Sequence, residues 1–437
     1  MRKIFPIIIL ALISVFLIFY RFADIPKYLS FDEVEFTKLA LSLDNKPYIP
    51  YSQLATGHST LYFYILLASL KTFGINAFAL RFPAAFFGII SITMFYLITK
   101  KVFQQFNNET MKQWFPFFLS FILLSSHWFL NFARFSFEAT FLLFLELASI
   151  YFLLKFDEHL KVKRPDFLAN RQGPPWGCGG LKNSGLSFLI MSGSFSGLAF
   201  LSYTPGRIFF ILPLLFLTLE TLITLKLYKL VYFLIPFIII TTPLTSYLLT
   251  NKDIRVDQQF FLKNNEMTIN EKINGLWSNV SKTTLMFNIK GDVNGRHNYP
   301  NKPALNLILG ILFIFGLAIS IKNVRNFYNK LFLLYFFISI FPALMTYPWE
   351  NPNMLRTFTV LPSVTYFVGT ALIFLNAIGS KIFLNKKVFV SYFLILVISF
   401  SSFYELRTYF KYQSTVFNQS FEIKLPLEKA IKIKLKP

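Results

Sequence analysis

The chain has 437 residues, 54% hydrophobic, 19% aromatic and only 15% charged, with a formal net charge of +22. Soluble proteins carry about 25% charged residues, and here the apolar residues gather in runs of 16–21, close to the ~20 a helix needs to cross a hydrocarbon core. That excludes a soluble enzyme. The lysines and arginines sit in short clusters between the apolar runs, which writes membrane topology rather than a nucleic-acid interface.

The start, MRKIFPIIILALISVFLIFYRF, has a basic head and an apolar body with no small-x-small cleavage site after it, so it reads as a retained first helix. Spans are predicted near 4–20, 83–99, 114–130, 135–155, 186–204, 208–225, 230–249, 304–321, 331–346, 357–376 and 388–404. With the N-terminus in the cytoplasm, the cytoplasmic segments hold 19 basic residues, counting Lys155 at the edge, against four acidic ones, Glu109, Asp157, Glu158 and Asp166. The positive-inside rule asks for this orientation. The apolar stretch 59–74 is short, and letting it cross would invert every later loop, so it is placed as an interfacial or re-entrant helix on the outer side. The outer face then carries a first loop, 21–82, a long loop, 250–303, and shorter pieces at 131–134, 205–207 and 347–356. Residues 1–404 form the transmembrane module and 405–437 a short extracytoplasmic tail. The Gly/Pro-rich RQGPPWGCGG within 156–185 reads as a linker. Its Cys178 is the chain's one cysteine, which excludes an internal disulfide or a cysteine zinc site, and His58, His127, His159 and His297 lack metal-ligand spacing.

SFDEVEFTKL, residues 30–39, places Asp32, Glu33 and Glu35 just beyond the first span. Ser30-x-x-Glu33 matches a capping box, and Phe36, Leu39, Ala40 and Leu43 form one apolar stripe of the helix that follows. At 100° per residue Asp32 falls within that stripe and Glu35 well off it. Asp32 is therefore the carboxylate expected to point toward the protein.

NFARFSFEATFLLFLELAS, 131–149, opens a later span with Arg134 and Glu138 four apart, and Glu146 two turns deeper. An ionised group at that depth is costly and should face the bundle interior. Arg134–Glu138 is either a local ion pair, or Glu138 is a second site carboxylate near the mouth of the bundle; Glu146 is expected to make an interhelical contact. Arg207 in SYTPGRI and Arg356 in NMLRTF either snorkel to the interface or bind an anionic phosphate. Asp292, Arg296 and His297 in GDVNGRHNYP are turn chemistry that also suits a polar substrate. His58, just before the 59–74 helix, suits an anion contact at a helix N-terminus.

FDEVEFTKLA, GHSTLYFYILLASLKTFGINAFALRFPAAFFGII, ARFSFEATF, LSYTPGRIFFILP and GDVNGRHNYPNKP together resemble the GT-C superfamily of polyprenyl-phosphate-sugar-dependent membrane glycosyltransferases, in the branch of protein O-mannosyltransferases and lipid A aminoarabinose transferases. The resemblance implies an all-α polytopic bundle of about 11 helices with interfacial helices on the first outer loop. It maps the proposed catalytic base to Asp32, the acidic residue of the later-span motif to Glu138, and the donor-phosphate element to His58. This chain has His-Ser-Thr-Leu where the family has His-Pro-Pro-Leu or Lys-Pro. It has Glu35 where some members carry an arginine, so the phosphate would need Arg207, Arg296 or Arg356.

The expected activity is transfer of a hexosyl or pentosyl unit from a polyprenyl phosphate to a hydroxyl of a lipid, glycan or protein on the extracytoplasmic face of the plasma membrane, with inversion. Asp32 and Glu138 are the catalytic candidates; Glu33, His58, Arg134, Arg207, Arg296, His297 and Arg356 are the substrate-binding ones. No metal site is assigned, although a divalent cation between Asp32 and Glu138 stays open. A transporter or lipid flippase using Glu138 and Glu146 is the main alternative, and a non-catalytic scaffold the third.

Overall fold

A computed structural model describes residues 4–103, 109–162, 184–382 and 387–433. The 163–183 stretch, with most of the expected linker and Cys178, lies outside them. The protein is an all-helical multi-pass membrane protein. Two two-residue strands, Tyr51–Ser52 and His58–Ser59, make its one small antiparallel sheet among the described residues. Most helices are apolar on every side, as lipid-facing helices must be when backbone groups can bond only within the helix.

Eight helices among the described residues are long and apolar enough to cross a membrane, from Ala77–Val102 to Tyr392–Ser420. Two further expected spans, Phe5–Phe19 and Leu307–Lys322, are shorter; Asn306 caps the second by accepting from Leu309 N. The expected span at 114–130 is broken by a 68° bend between Trp114–Ser125 and His127–Ala133. Among the described residues eight helices, or nine with the bent pair as one span, thus meet the length and composition for crossing, and Phe5–Phe19 and Leu307–Lys322 occupy the other two expected positions. The 59–74 segment forms the 13-residue helix Leu61–Phe73.

The bend has an identifiable cause. Three polar side chains of the second half are drawn to distant partners: His127 to Glu405, Trp128 Nε1 to Met354 O at 2.7 Å, and Asn131 Nδ2 to Arg296 O at 2.7 Å. Elsewhere the bundle closes by near contact of backbones. At Gly316 an added Cβ would stand 1.7 Å from Phe367 O, so the helices Leu307–Lys322 and Leu361–Ile382 meet where only glycine fits.

The expected motif helix from 135 begins only at Ala139. Residues 134–138 are irregular, so Arg134 and Glu138 are not one helical turn apart and their ion pair does not form. Arg134 instead donates to the carbonyls of Leu17, Tyr20, Arg21 and Ile25, closing the C-terminal end of the first helix as a capping cation. The segment after 404 continues as helix through Ser420 and then returns to the first loop, where Leu29 and Ile423 exchange backbone hydrogen bonds of 3.1 and 2.9 Å.

Candidate active site

The first loop, 253–259, 292–297 and 349–356, far apart in sequence, converge with Phe137 and Tyr203 at one end of the bundle. They enclose a cavity of about 390 Å³ whose lining includes Asp32, His58, Arg255, Arg296, His297 and Arg356.

Asp32 stands on helix Phe31–Ser42, which begins with the expected capping box. Glu33 N donates to Ser30 Oγ at 3.2 Å and Ser30 N to Glu33 Oε2 at 3.1 Å. The stripe is buried as predicted, with Phe36, Leu39, Ala40 and Leu43 all at 3% exposure or less. Glu35 turns away to Lys38 at 2.9 Å. The Asp32 side chain is 43% exposed and receives Arg296 Nη1 on Oδ2 at 2.5 Å. Its Oδ1 has no hydrogen-bond donor among the described residues, so one carboxylate oxygen is fixed and the other is free to accept a proton.

Glu33 is not a cavity residue. It is fully buried and forms a two-pronged ion pair with Arg81, Nε to Oε1 at 2.7 Å and Nη2 to Oε2 at 3.0 Å. Arg81 also donates to Pro26 O at 2.5 Å and Tyr28 O at 2.7 Å. This arginine, unremarked in the sequence, clamps the chain on both sides of Ser30 and so sets where Asp32 stands. Burial and pairing leave neither Glu33 nor Arg134 in the cavity lining.

Glu138 is also fully buried, but beneath the cavity. His58 Nδ1 lies 2.6 Å from Glu138 Oε1, and His58 Nε2 lies 2.5 Å from Arg255 Nη1. A carboxylate oxygen accepts, so the Nδ1 proton is donated to Glu138, while Arg255 Nη1 stands within reach of both ring nitrogens. The imidazole is neutral in this arrangement. Burial, then the Arg255 charge, push its pKa below the ordinary histidine value, against the opposing pull of Glu138. Edge contacts to Phe36 and Phe63, with centroids at 5.1 and 5.2 Å, fix the ring. Glu138, His58 and Arg255 are thus in successive contact, with Arg255 Nη1 set against the imidazole, 3.1 Å from Nδ1 as well as 2.5 Å from Nε2, and Arg255 lining the cavity.

Arg255 was missed in the sequence. Its helix, Ile254–Gln259, starts at Asp253, whose Oδ1 accepts from Val256 N at 3.2 Å. Arg207 reaches Asp253 rather than the cavity, bonding its Oδ2 and also Ser59 Oγ at 3.3 Å, while Tyr51 OH donates to Asp253 Oδ1 at 3.0 Å. Burial would raise the Asp253 pKa, but the Arg207 charge and hydrogen bond outweigh it and leave the pKa below its ordinary value. Burial, followed by the Asp253 charge, pushes the Tyr51 phenol up to about 12. Arg207 is a support for the Arg255 helix.

The 292–297 turn is built as its composition suggested. Asp292 Oδ1 accepts from Asn294 N at 2.8 Å, and its Oδ2 from Met354 N at 2.9 Å and His297 Nδ1 at 3.0 Å. Arg356 lines the cavity in close ion contact with Glu350. Three guanidinium groups thus edge the cavity. Arg296 is matched by Asp32 and Arg356 by Glu350, whereas Arg255 faces a neutral imidazole and has no carboxylate partner among the described residues.

Glu138 Oε1 is taken by His58 and Asp32 Oδ2 by Arg296, which leaves Glu138 Oε2 and Asp32 Oδ1 without a hydrogen-bond partner among the described residues. Among the described residues no three metal-ligating side chains come together. Glu146 makes the expected interhelical contact, accepting from Tyr335 OH at 2.7 Å.

No family model matches the sequence, and no curated protein sequence matches it. Solved structures do. The crystal structure of ArnT from Cupriavidus metallidurans bound to undecaprenyl phosphate aligns with 98% of this chain and 77% of its own, at a TM-score of 0.52 and 12% identity. The apo state of that ArnT gives 0.51, at 12% identity over 97% and 76% of the two chains. The apo oligosaccharyltransferase of Archaeoglobus fulgidus gives 0.53, at 14% identity over 96% of this chain and 56% of that one. The chain shares the fold of these structures. The segments that carried the resemblance contribute Asp32, His58, Phe137, Tyr203 and Arg296 to the cavity lining, whereas Arg255, Gln259 and 349–356 come from outside them.

Proposed function

We propose that the protein is a glycosyltransferase that moves a sugar from a polyprenyl phosphate to an acceptor hydroxyl on the outer side of the cytoplasmic membrane. One observation carries the reading: a cavity at the mouth of the bundle holds a carboxylate with a free oxygen, Asp32, together with a guanidinium that has no direct carboxylate partner among the described residues, Arg255. A hydroxyl nucleophile needs the first and a leaving phosphate needs the second. ArnT, which shares the fold, binds undecaprenyl phosphate in its crystal structure.

In this mechanism the acceptor hydroxyl gives its proton to Asp32 as its oxygen bonds to the anomeric carbon. The bond from that carbon to the phosphate oxygen breaks, and the electron pair leaves with the phosphate. Arg255 meets the growing charge with pre-aimed donors. The Glu138–His58 pair keeps Arg255 extended, and Arg296 orients Asp32. Attack opposite the phosphate inverts the anomeric configuration. The positive-inside bias puts the N-terminus in the cytoplasm and the cavity outside.

The test is incubation of the purified protein with polyprenyl-phosphate-linked radiolabelled hexoses and pentoses and an envelope lipid, glycan or peptide fraction as acceptor. Label covalently attached to acceptor supports the proposal. Movement of an unchanged lipid-linked sugar across proteoliposomes, without transfer, overturns it in favour of a transporter.

A further inference from the structure

Trp349 lines the same cavity yet is 73% exposed, a large apolar ring left uncovered in a pocket whose other walls are mostly polar. Its indole stacks on Tyr347, with centroids 4.2 Å apart and planes inclined by 20°. The backbone beneath both rings is fastened on each side. Tyr347 N donates to Gln259 O at 3.3 Å, and Lys282 Nζ to Pro348 O at 2.6 Å. The buried Asn351 side chain donates to Ala343 O at 2.9 Å and to Thr346 Oγ1 at 3.1 Å. Tyr347 OH accepts from Asn264 Nδ2 at 3.2 Å. The ring is exposed by construction, held out by a rigid strap.

An exposed tryptophan on a membrane protein is ordinarily an interfacial anchor. Trp277 fits that description: it is 75% exposed and follows Ile269 and Ile273 at four-residue steps on helix Ile269–Met286, a stripe facing away from the cavity lining. Trp349 has no such stripe. The cavity that it lines also carries Gln259, Glu350, Asn353 and Arg356, planar polar groups, beside the apolar Val293, Pro352 and Leu355. A flat apolar ring in a cavity that also holds planar hydrogen-bonding side chains complements a molecule with an apolar face and a polar edge. A pyranose has that shape, with C–H bonds on the face and hydroxyls around the rim. A polyprenyl tail would call for aliphatic walls.

We propose that Trp349, backed by Tyr347, is the platform on which a pyranose ring stacks in this cavity, where Gln259 and Asn353 are available to bond its hydroxyls. This rests on the glycosyltransferase reading and names the substrate class of that site. The ring belongs either to the lipid-linked donor or to a glycan acceptor, and the experiment separates the two.

Full-length protein in nanodiscs, as wild type and as Trp349→Ala, Trp349→Phe and Trp277→Ala, is titrated with a short-chain polyprenyl phosphate, with the same lipid carrying a hexose, and with methyl hexopyranosides, following tryptophan fluorescence. Donor and acceptor KM values are read alongside. Trp349→Ala is expected to weaken the hexosyl lipid, or to raise the KM of a glycan acceptor, by about tenfold, with the sugarless lipid altered less than about twofold. Trp349→Phe retains most of the effect, and Trp277→Ala has none. The first pattern assigns the platform to the donor and the second to the acceptor. Constants for both sugars within about twofold of wild type overturn the platform, as does equal weakening of the sugarless lipid. If wild type binds no polyprenyl phosphate but methyl hexopyranosides still quench through Trp349, the platform stands and the donor assignment falls. Melting temperatures of the variants identify any loss due to misfolding, and Trp349→Phe keeps the test decisive in that case.

Discussion

Removing Arg81 should damage the protein far more than its distance from the cavity suggests. In Arg81→Met the fully buried Glu33 carboxylate keeps only the backbone donors Ser30 N and Ser136 N, at 3.1 and 3.4 Å, and the carbonyls of Pro26 and Tyr28 lose their donor. Breaking one side of a buried ion pair costs about 3–5 kcal/mol, and two stranded carbonyls add about 1 kcal/mol each where water cannot reach them, so a loss of roughly 5 kcal/mol is expected. Glu33→Gln alone strands the guanidinium and should cost about 3–5 kcal/mol. The double variant carries no buried charge, and glutamine can still serve a capping box, so it should lose only about 2 kcal/mol. The assay is equilibrium unfolding of purified protein in mixed micelles as the SDS fraction rises, run as a double-mutant cycle. A loss below about 1 kcal/mol for Arg81→Met, or single effects that add to within about 0.5 kcal/mol, refutes the clamp.

Glu138→Gln removes the charge that holds the His58 N–H. The loss of a charge-assisted hydrogen bond should lower kcat/KM about 10- to 100-fold in steady-state transfer assays, with unchanged kinetics contradicting the relay. Because the folded pKa of His58 lies below its ordinary value, the unfolded chain takes up this proton first as pH falls. The stability that neutral His58 contributes is complete above about pH 6.5 and declines below it until the folded pKa is reached. Melting curves of wild type and His58→Asn from pH 8 to 4 should converge on acidification, and parallel curves would count against the assignment. Gly316→Ala forces a methyl onto Phe367 O and should cost about 1–3 kcal/mol in the same SDS titration; a neutral effect would mean that the two helices do not meet there.

Local features were legible in the sequence and long-range pairings were not. The capping box, the stripe of helix Phe31–Ser42 and the apolar spans each depend on residues within a turn or two, so spacing alone reveals them. Arg81 joins Glu33 across 48 residues, Arg255 joins His58 across 197, and His127 joins Glu405 across 278. No periodicity encodes those distances. The same blindness turned one bent element into a straight span, because the bend at Ser126 is produced by partners elsewhere in the chain. Arg134 and Glu138 misled for a related reason: four-residue spacing implies contact only on a helix, and the helix starts one residue after them. Arg255 had a faint local signal, an arginine two residues after a capping aspartate on a long loop. Trp349 had none beyond being an aromatic among polar residues.

The account stands on Asp32 as the group that takes the acceptor's proton. The most direct measurement compares Asp32→Asn with wild type for single-turnover transfer and for polyprenyl-phosphate binding in the same nanodiscs. The predicted result is transfer slowed by about 10²–10⁴-fold with lipid-phosphate affinity changed less than about threefold. Transfer at the wild-type rate without that carboxylate would contradict it.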